Sequence, residues 1–308
     1  MAAGKYQLPK GAWDSHVHVV PDEVRKAQYI PRRHANRHLQ EKFPFSPDRP
    51  YTPKKADLSE LLAFEKGLGI EHACVVAMSV YGADNTSIAD ALEQQQGRGR
   101  AVVCIDLQSV ADAELDRLHA LGARAIRINL KTFGAEPRRD DLVAMLHAHA
   151  DKIRRLGWAI QIFIAMKQYP LIVDVIPALG VQVVVDHLGF PSESEPVQQQ
   201  VGYPEIVSAL RSGHIWIKLS GTYRFPNTPG LESYVKEVLK AAPDRIVWAS
   251  DWPHTGGKVK SPDDRLKHQE FRKVDDVGFL RQCIDWCDGD QELIQKIWVD
   301  NPRKLWQY

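Results

Sequence analysis

The sequence predicts an α/β protein folded as a (β/α)8 TIM barrel, and three observations lead to this fold class. Short apolar segments of strand length alternate with helical segments eight times along the 308 residues. Several helical segments end at a glycine, for example Gly69, Gly122 and Gly180, a residue that readily ends helices in the left-handed conformation. The strand segments are almost continuously apolar, as is typical of parallel strands buried on both faces. Eight such units close into one barrel, so we predict a single domain over residues 1–308.

The first predicted strand, over residues 13–19, carries two histidines and precedes a long loop. Strict alternation along this strand predicts a polar face and an apolar face, formed by Asp14, His16 and His18 and by Trp13, Val17 and Val19 respectively. Residues 21–55 then form an irregular stretch rich in Arg, His and Pro. A loop of this length in a compact domain is commonly a lid or binding loop, and a solvated basic excursion is the alternative left open.

The pattern becomes regular after this loop. Further strands are predicted at 71–78, 101–106, 125–130, 158–165, 181–187, 214–220 and 245–251. Helices are predicted at 58–68, 86–96, 112–121, 140–156, 170–179, 203–212, 231–242, 274–286 and 291–299.

Composition narrows the class of protein. The formal net charge of +1 argues against nucleic acid or an anionic membrane surface as the main partner. No apolar run approaches the roughly 18 residues that span a bilayer, and residues 1–10 hold no hydrophobic segment like that of a signal peptide. The four cysteines, at 74, 104, 283 and 287, are too scattered for a disulfide framework and fit reduced core positions. We therefore expect a cytoplasmic protein, which can also be a homo-oligomer.

Polar side chains gather at the C-terminal ends of most predicted strands, where the active site of such a barrel lies. They are His16 and His18 on the first strand, Ser79 and Tyr81 after the second, Arg127 and Asn129 on the fourth, Asp186 and His187 at the end of the sixth, 220–224 after the seventh and 250–254 after the eighth. One polar strand end is a weak signal, because chains become polar as they reach the surface. Six of them around one barrel mouth indicate a catalytic site.

The motifs at these strand ends resemble the amidohydrolase superfamily, which has His-X-His on strand one and an Asp at the end of strand eight. Several further motifs resemble the branch of 2-pyrone-4,6-dicarboxylate lactonases and sugar-lactone hydrolases. They are Ser79-Val80-Tyr81-Gly82, Arg127-Ile128-Asn129, Asp186-His187-Leu188-Gly189, Lys218-Leu219-Ser220-Gly221 and Ser250-Asp251-Trp252-Pro253-His254. The match runs from about Trp13 to Leu305. The resemblance implies a lactonase, a hydrolase that opens a cyclic ester, with a small carboxylated lactone as its partner.

One departure from the superfamily concerns the metal. Metal-dependent members supply a histidine from the end of strand five, whereas this strand reads AIQIFIAM from Ala159. The pyrone-dicarboxylate lactonases are similar in lacking that histidine, which implies chemistry without a metal and without another cofactor. The alternative is one divalent metal such as zinc, held by His16, His18, Asp251 and His187, because a catalytic zinc takes three protein ligands and an open position.

The residue types suggest a role for each member of the site. Asp251 is the candidate base that takes a proton from water and later returns it to the leaving oxygen. The three histidines, His16, His18 and His187, are candidates to surround and stabilise the oxyanion. Arg127 and Arg224 suit carboxylate groups of the substrate, since a guanidinium binds them through two parallel hydrogen bonds. Further candidates for substrate binding are Ser79, Tyr81, Tyr51, Asn129 and His254.

The predicted function is hydrolysis of a carboxylated lactone of the pyrone, muconolactone or sugar-acid type. Lactone isomerisation remains an alternative, because the same acid–base pair can move an acyl group to a neighbouring hydroxyl. Metal-dependent decarboxylation of an aromatic acid is a second alternative, and the missing strand-five histidine counts against it. A barrel that only binds an acidic metabolite is a third. Substrate, oligomeric state, pathway and the role of loop 21–55 stay open.

Overall fold

The computed structural model describes residues 7–21, 43–257, 259 and 261–308. Most of the predicted lid loop, residues 22–42, lies outside the described residues, so its role stays a prediction. Among the described residues, no helix has both the length and the apolar character needed to cross a bilayer.

Eight parallel strands follow one another around a single sheet, each paired with the next in chain order. They are β1 Trp13–Val17, β2 His72–Val76, β3 Arg100–Val103, β4 Ala123–Asn129, β5 Ala159–Phe163, β6 Val183–Val185, β7 Ile215–Leu219 and β8 Ile246–Trp248. With helices between most successive strands, this order confirms the predicted (β/α)8 barrel. A short parallel pair, Thr52–Pro53 with His268–Gln269, lies outside the barrel sheet.

The barrel closes between β1 and the residues that follow β8. Asp251 N donates to His16 O at 3.0 Å, and His18 N donates to Trp252 O at 2.9 Å. Val17 and Trp252 form a parallel bridge at the same place. We call this contact the closing seam, defined by residues 14–18 and 250–252. It joins two segments that carry candidate catalytic residues.

The strict alternation predicted for β1 is wrong, because the pairing of β1 with β2 shifts register between Asp14 and Val17. Trp13 packs in the barrel interior, whereas Val17 and Val19 pack with residues of the surrounding helices. Asp14 does not share a face with the two histidines. It accepts hydrogen bonds from two backbone N–H groups of the closing seam, those of His16 and Ser250, and lies next to Glu65 of the first helix. Such an irregularity breaks the two-residue period on which the prediction relied.

Nine α-helices surround the described part of the sheet. They are α1 Leu58–Leu68, α2 Thr86–Gln95, α3 Asp112–Leu121, α4 Arg139–Ile153, α5 Tyr203–Arg211, α6 Leu231–Ala241, α7 Asp276–Asp285, α8 Gln291–Gln295 and α9 Asn301–Leu305. The helix predicted over 170–179 is wrong, since two 3₁₀ segments, Met166–Leu171 and Ile176–Ala178, replace it. Pro170 and Pro177 lie inside these segments, and proline removes a backbone donor that an α-helix needs.

An apolar cluster fills the barrel interior below the strand ends. It is formed by Trp13, Cys74, Val76, Val102, Ala125, Ala159, Val184, Trp216, Val247, Leu305 and Trp306. Trp306 comes from the turn after α9 and also donates to Ser15 Oγ at 3.1 Å. The ammonium of Lys218 lies 5.4 Å from the Trp306 ring centroid, so a polar layer begins directly on this apolar floor.

Candidate active site

Three imidazoles and one carboxylate meet at the C-terminal ends of the strands. Asp251 Oδ1 lies 3.8 Å from His16 Nε2 and 3.7 Å from His18 Nε2, and Asp251 Oδ2 lies 3.8 Å from His187 Nε2. His16 Nε2 and His18 Nε2 are 3.3 Å apart. All four side chains are buried. The structure thus brings together the four residues predicted to be catalytic, which span more than 200 positions of the chain.

The two oxygens of Asp251 have different surroundings. Oδ2 accepts from Tyr223 Oη at 2.7 Å, from Arg224 Nε at 2.8 Å, and is 2.7 Å from Arg224 Nη2. Oδ1 is buried and has no hydrogen-bond partner among the described residues. Burial raises the pKa of this carboxyl, but the Arg224 charge opposes burial, and the pKa is held well below its usual value. Asp251 is therefore ionised, with one oxygen available to a reacting molecule.

The hydrogen bonds of His16 and His18 run in one direction and fix the proton on each ring. His16 Nδ1 has two polar neighbours, Lys218 Nζ at 3.2 Å and Asp186 Oδ1 at 3.3 Å. Only the contact with Lys218 has hydrogen-bond geometry, and an ammonium can only donate, so we assign His16 Nδ1 as the acceptor. The His16 proton is then on Nε2, where it can be donated to His18 Nε2. His18 Nδ1 lies 2.7 Å from the carbonyl oxygen of Val76, so His18 donates from Nδ1 and accepts at Nε2.

Burial is the main reason that these rings are neutral. It lowers the pKa of His18 to about 3, with a further contribution from the Arg127 charge. Burial likewise lowers the pKa of His187 to about 4, although Asp251 and Asp186 act in the opposite direction. For His16, burial and then the Lys218 charge lower the pKa well below its usual value.

His187 takes its position from an unusual backbone and a close glycine. Its φ of 50° lies in the left-handed region, at the turn that follows β6. Its Nδ1 lies 2.8 Å from Ser220 Oγ, and its ring makes an edge contact with Phe163 at 5.0 Å. A Cβ at Gly221 would come within 2.8 Å of the imidazole, so the Ser220-Gly221 turn requires glycine for this ring to fit.

A fully buried polar layer, formed by Lys218, Gln161 and Asp186, supports the site from below and has no role predicted from the sequence. Lys218 Nζ donates to Gln161 Oε1 at 2.6 Å and lies 3.5 Å from Asp186 Oδ1. Gln161 Nε2 donates to Asp186 Oδ2 at 3.0 Å, and Asp186 Oδ1 lies 3.3 Å from His16 Nδ1. The sequence does contain a signal for this layer: Lys218 and Gln161 each interrupt an otherwise apolar strand, in IWIKL and AIQIF respectively. Such groups are buried only when they are paired.

Two of the predicted substrate-binding residues, Arg127 and Arg224, border the cluster, whereas Ser79 and Asn129 bond to each other. Arg224 contacts Asp251 directly, while Arg127 donates to Ala77 O at 2.8 Å and lies 3.5 Å from Asp186 Oδ2. Asn129 Nδ2 donates to Ser79 Oγ at 2.7 Å. The two arginines are thus held in place by protein partners and keep further N–H groups, including the buried Nε of Arg127, which has no partner in the described part of the chain.

The other three predicted binding residues are engaged elsewhere. Tyr51 Oη donates to Thr255 Oγ1 at 3.3 Å, and burial raises the pKa of its phenol. The Tyr81 ring stacks on Phe45 with centroids 5.1 Å apart. His254 Nε2 lies 2.9 Å from Asp276 Oδ1, a contact that joins this histidine to α7.

The clustered donors fit a divalent cation in type and spacing. Ligand atoms of His16, His187 and Asp251 all lie within 4.8 Å of one another, and the unpaired Asp251 Oδ1 points to the same group. The bond from His18 Nδ1 to a backbone carbonyl is the kind that orients metal-ligating histidines. His16 fits only after its proton moves from Nε2 to Nδ1, because a protonated ring nitrogen has no lone pair for a metal.

A cavity of about 560 Å³ opens beside the catalytic cluster. Arg224 lines it together with Phe190, Phe225, Met166 and Lys131, whose ammonium lies 4.5 Å from the Phe190 ring centroid. Glu193 and Glu195 also line it, so the cavity combines apolar walls with groups of both charges, as is common for sites that bind small polar organic molecules.

A barrel with this histidine and aspartate constellation is typical of amidohydrolases, and comparison with known proteins places the chain in that family. The model of the Amidohydrolase family matches residues 13–307, so the chain belongs to this family and the resemblance seen in the sequence is confirmed.

Among its relatives, the 2-pyrone-4,6-dicarboxylate hydrolase of Comamonas testosteroni is 30% identical, over 98% of this chain and 92% of that protein. The 4-sulfomuconolactone hydrolase of Rhizobium radiobacter is 28% identical, over 97% of this chain and 91% of that protein. A solved structure of a putative 2-pyrone-4,6-dicarboxylic acid hydrolase from Pseudomonas putida is 25% identical, with a TM-score of 0.74 over 97% of this chain and 98% of that one.

Proposed function

We propose that this protein hydrolyses the ring ester of a small carboxylated lactone, of the pyrone, muconolactone or sugar-acid type. The observation that carries the proposal is the ionised Asp251, whose unpaired Oδ1 lies within 3.8 Å of two imidazoles. The relatives named as hydrolases of a pyrone dicarboxylate and of a sulfomuconolactone support the same class of substrate.

In the proposed reaction Asp251 is the base. Its Oδ1 accepts a proton from water while the water oxygen bonds to the lactone carbonyl carbon, giving a tetrahedral oxyanion. The ring C–O bond then breaks, and Asp251 returns the proton to the leaving oxygen, so the product is the open-chain hydroxy acid. A carboxylate with so low a pKa is a weak base. A substrate carboxylate that draws Arg224 away from Oδ2 would raise the pKa of Asp251 when the substrate is present.

In this proposal only two of the three histidines can donate a hydrogen bond to the oxyanion. His16 Nε2–H is a donor that faces the cluster, and His187 becomes a second donor when its Nδ1 accepts from the Ser220 hydroxyl. His18 cannot donate from Nε2, because its proton is held on Nδ1 by the Val76 carbonyl. We therefore assign His18 a different role from the one expected from sequence: it orients the His16 proton until the substrate oxygen replaces it.

Binding of the substrate carboxylates falls to the arginines in this proposal. Arg224 already binds one carboxylate, that of Asp251, and Arg127 has a buried N–H that no described residue accepts. The cavity beside Arg224 provides room for a ring substituent, and Lys131 offers a further positive charge there.

We propose that the reaction needs no metal. In the tautomer that we assign from the Lys218 contact, the proton is on His16 Nε2, the nitrogen that would have to ligate a metal. If His16, His18, His187 and Asp251 do hold a divalent cation, it would add Lewis-acid polarisation of the carbonyl oxygen. In either case the chain's own residues position water, proton and substrate carboxylate as described.

The test is Asp251→Asn, assayed on a panel of carboxylated lactones by proton release, with Asp116→Asn as a matched surface control. We expect turnover to fall by about 10²–10⁴-fold in Asp251→Asn, because the base is lost, and to be unchanged in the control. Near-normal hydrolysis by a folded Asp251→Asn protein would refute this role. Product analysis decides the class of reaction: an open-chain acid supports hydrolysis, whereas an isomeric lactone or carbon dioxide supports the rival activities.

A further inference from the structure

Asp14 is a fully buried carboxyl group that the proposed reaction does not use. Its Oδ1 accepts from His16 N at 3.0 Å and from Ser250 N at 3.1 Å, and its Oδ2 lies 3.2 Å from the same Ser250 N. One side chain thus joins the backbone of β1 to the backbone that follows β8.

These two backbone segments form the closing seam, where regular strand pairing is missing. β1 pairs with β2 on one side, but β8 ends at Trp248 before the seam begins. The shift of register between Asp14 and Val17 leaves the His16 N–H without a strand partner, and the Asp14 carboxyl accepts it instead.

The bonded N–H groups belong to, or directly precede, catalytic candidates. His16 carries the proposed oxyanion donor, and Ser250 immediately precedes Asp251, whose φ of 68° lies in the left-handed region. His16 Nε2 and Asp251 Oδ1, the reacting groups on the two segments, are 3.8 Å apart. A shift of one segment against the other changes this distance directly.

A second buried acid lies beside Asp14 and provides an internal comparison. Glu65 of α1 is buried, and burial together with the neighbouring Asp14 carboxyl raises the pKa of Glu65 well above its usual value. Neither Glu65 oxygen bonds to a seam N–H among the described residues. The two acids therefore share one environment, while only Asp14 touches the backbone that carries the site.

We propose that Asp14 is a positioning residue. Its side-chain oxygen accepts hydrogen bonds from both His16 N and Ser250 N, and so sets the distance between the His16 imidazole and Asp251. For its effect on turnover this inference rests on the proposed lactone hydrolysis. A carboxyl oxygen accepts these bonds whether or not its partner oxygen carries a proton, so the role depends on the acceptor and not on the charge.

The test compares Asp14→Leu, which removes the acceptor at similar size, with Asp14→Asn, which keeps Oδ1, and with Glu65→Gln as matched control. We expect kcat to fall about 10²-fold in Asp14→Leu with KM changed less than about threefold, because misplacement by about 1 Å costs this much. Asp14→Asn and Glu65→Gln should keep kcat near the wild-type value. Crystal structures should show the 3.8 Å separation retained in these two variants and lengthened in Asp14→Leu.

Three results would overturn the proposal: an unchanged kcat in folded Asp14→Leu, an equal loss in Asp14→Asn, or an equal loss in Glu65→Gln. If Asp14→Leu does not fold, Asp14→Ser replaces it, since the shorter hydroxyl cannot reach both N–H groups, and the same results decide. If the wild-type protein opens no lactone, the proposed function fails by itself. The distance between His16 Nε2 and Asp251 Oδ1 in the variant structures then still decides the role of Asp14.

Discussion

Replacing Lys218 by methionine should change which nitrogen of His16 carries the proton. The ammonium is fully buried and bonds to His16 Nδ1 at 3.2 Å and to Gln161 Oε1 at 2.6 Å. Methionine has nearly the same length but cannot donate. The remaining neighbour of His16 Nδ1 is Asp186 Oδ1 at 3.3 Å, which can only accept from it. The His16 proton should therefore move to Nδ1, and Nε2 should stop being a donor towards the substrate.

The structure sets the size of the two expected effects. Loss of one oxyanion donor lowers turnover by about 10²–10³-fold. Breaking the buried pair between Lys218 and Asp186 leaves a buried carboxylate without its ammonium, which costs about 3–5 kcal/mol of unfolding free energy. With about 2.1 cal/mol/K of unfolding entropy per residue over this chain, Tm should fall by about 5–8 °C.

The double variant Lys218→Met/Asp186→Asn separates proton placement from a general loss of stability. Gln161 and Arg127 both donate towards Asp186 Oδ2, so an asparagine there keeps its oxygen on that side and presents its NH₂ group to His16 Nδ1. His16 Nε2 then carries the proton again. We expect the second substitution to recover most of the kcat and most of the Tm that the first one lost.

The assays are steady-state hydrolysis of a lactone that the wild-type protein opens and thermal unfolding of the same samples. A folded Lys218→Met protein with kcat within about threefold of wild type would refute the assigned tautomer. So would a double variant that recovers Tm while its kcat stays at the single-variant level.

Further predictions concern pH, metal and individual contacts. The kcat/KM of the free enzyme should stay constant between about pH 5 and 8, because Asp251, His18 and His187 become protonated only when the pH falls to their lowered pKa values. A midpoint of the pH profile inside this range would contradict the assigned protonation states. Chelation should leave turnover unchanged, and stoichiometric zinc with chelator-sensitive activity would show that the metal-free proposal is wrong. Ser220→Ala should lower kcat about 3–10-fold at constant KM, as expected for one orienting hydrogen bond to His187, and a change confined to KM would oppose it. Arg224→Met should raise KM more for a carboxylated lactone than for its methyl ester, and equal changes would remove Arg224 from carboxylate binding.

Much of the architecture could be predicted because it depends on local patterns. The eight apolar segments correspond to the eight barrel strands, and the helix ends at Gly69 and Gly122 follow the glycine signal. The members of the site could be predicted because parallel strands bring their C-terminal ends to one mouth. The helix predicted over 170–179 failed because its apolar spacing was given more weight than Pro170 and Pro177.

The finer features of the site depend on contacts that a local pattern does not contain. The register shift in β1 turns Asp14 away from the histidines, and a two-residue period has no means of indicating it. The proton positions on His16 and His18 depend on Lys218 and on the Val76 carbonyl, which are distant in the chain. The sequence thus indicates which residues meet, whereas their partners determine which of them donate and which accept.

Closure of the barrel and the proposed catalysis use the same residues in this protein. The carbonyl of His16 accepts from Asp251 N, so the backbone bond that closes the barrel also joins the proposed oxyanion donor to the proposed base. A continuous ladder would fix this contact rigidly through many bonds. The seam has few bonds, and the Asp14 side chain supplies two of them. Substitution of a buried polar residue at the seam should therefore lower turnover more than substitution of an equally buried residue in the regular pairs β4–β5 or β6–β7. In those pairs the neighbouring backbone hydrogen bonds still hold the two strands in place.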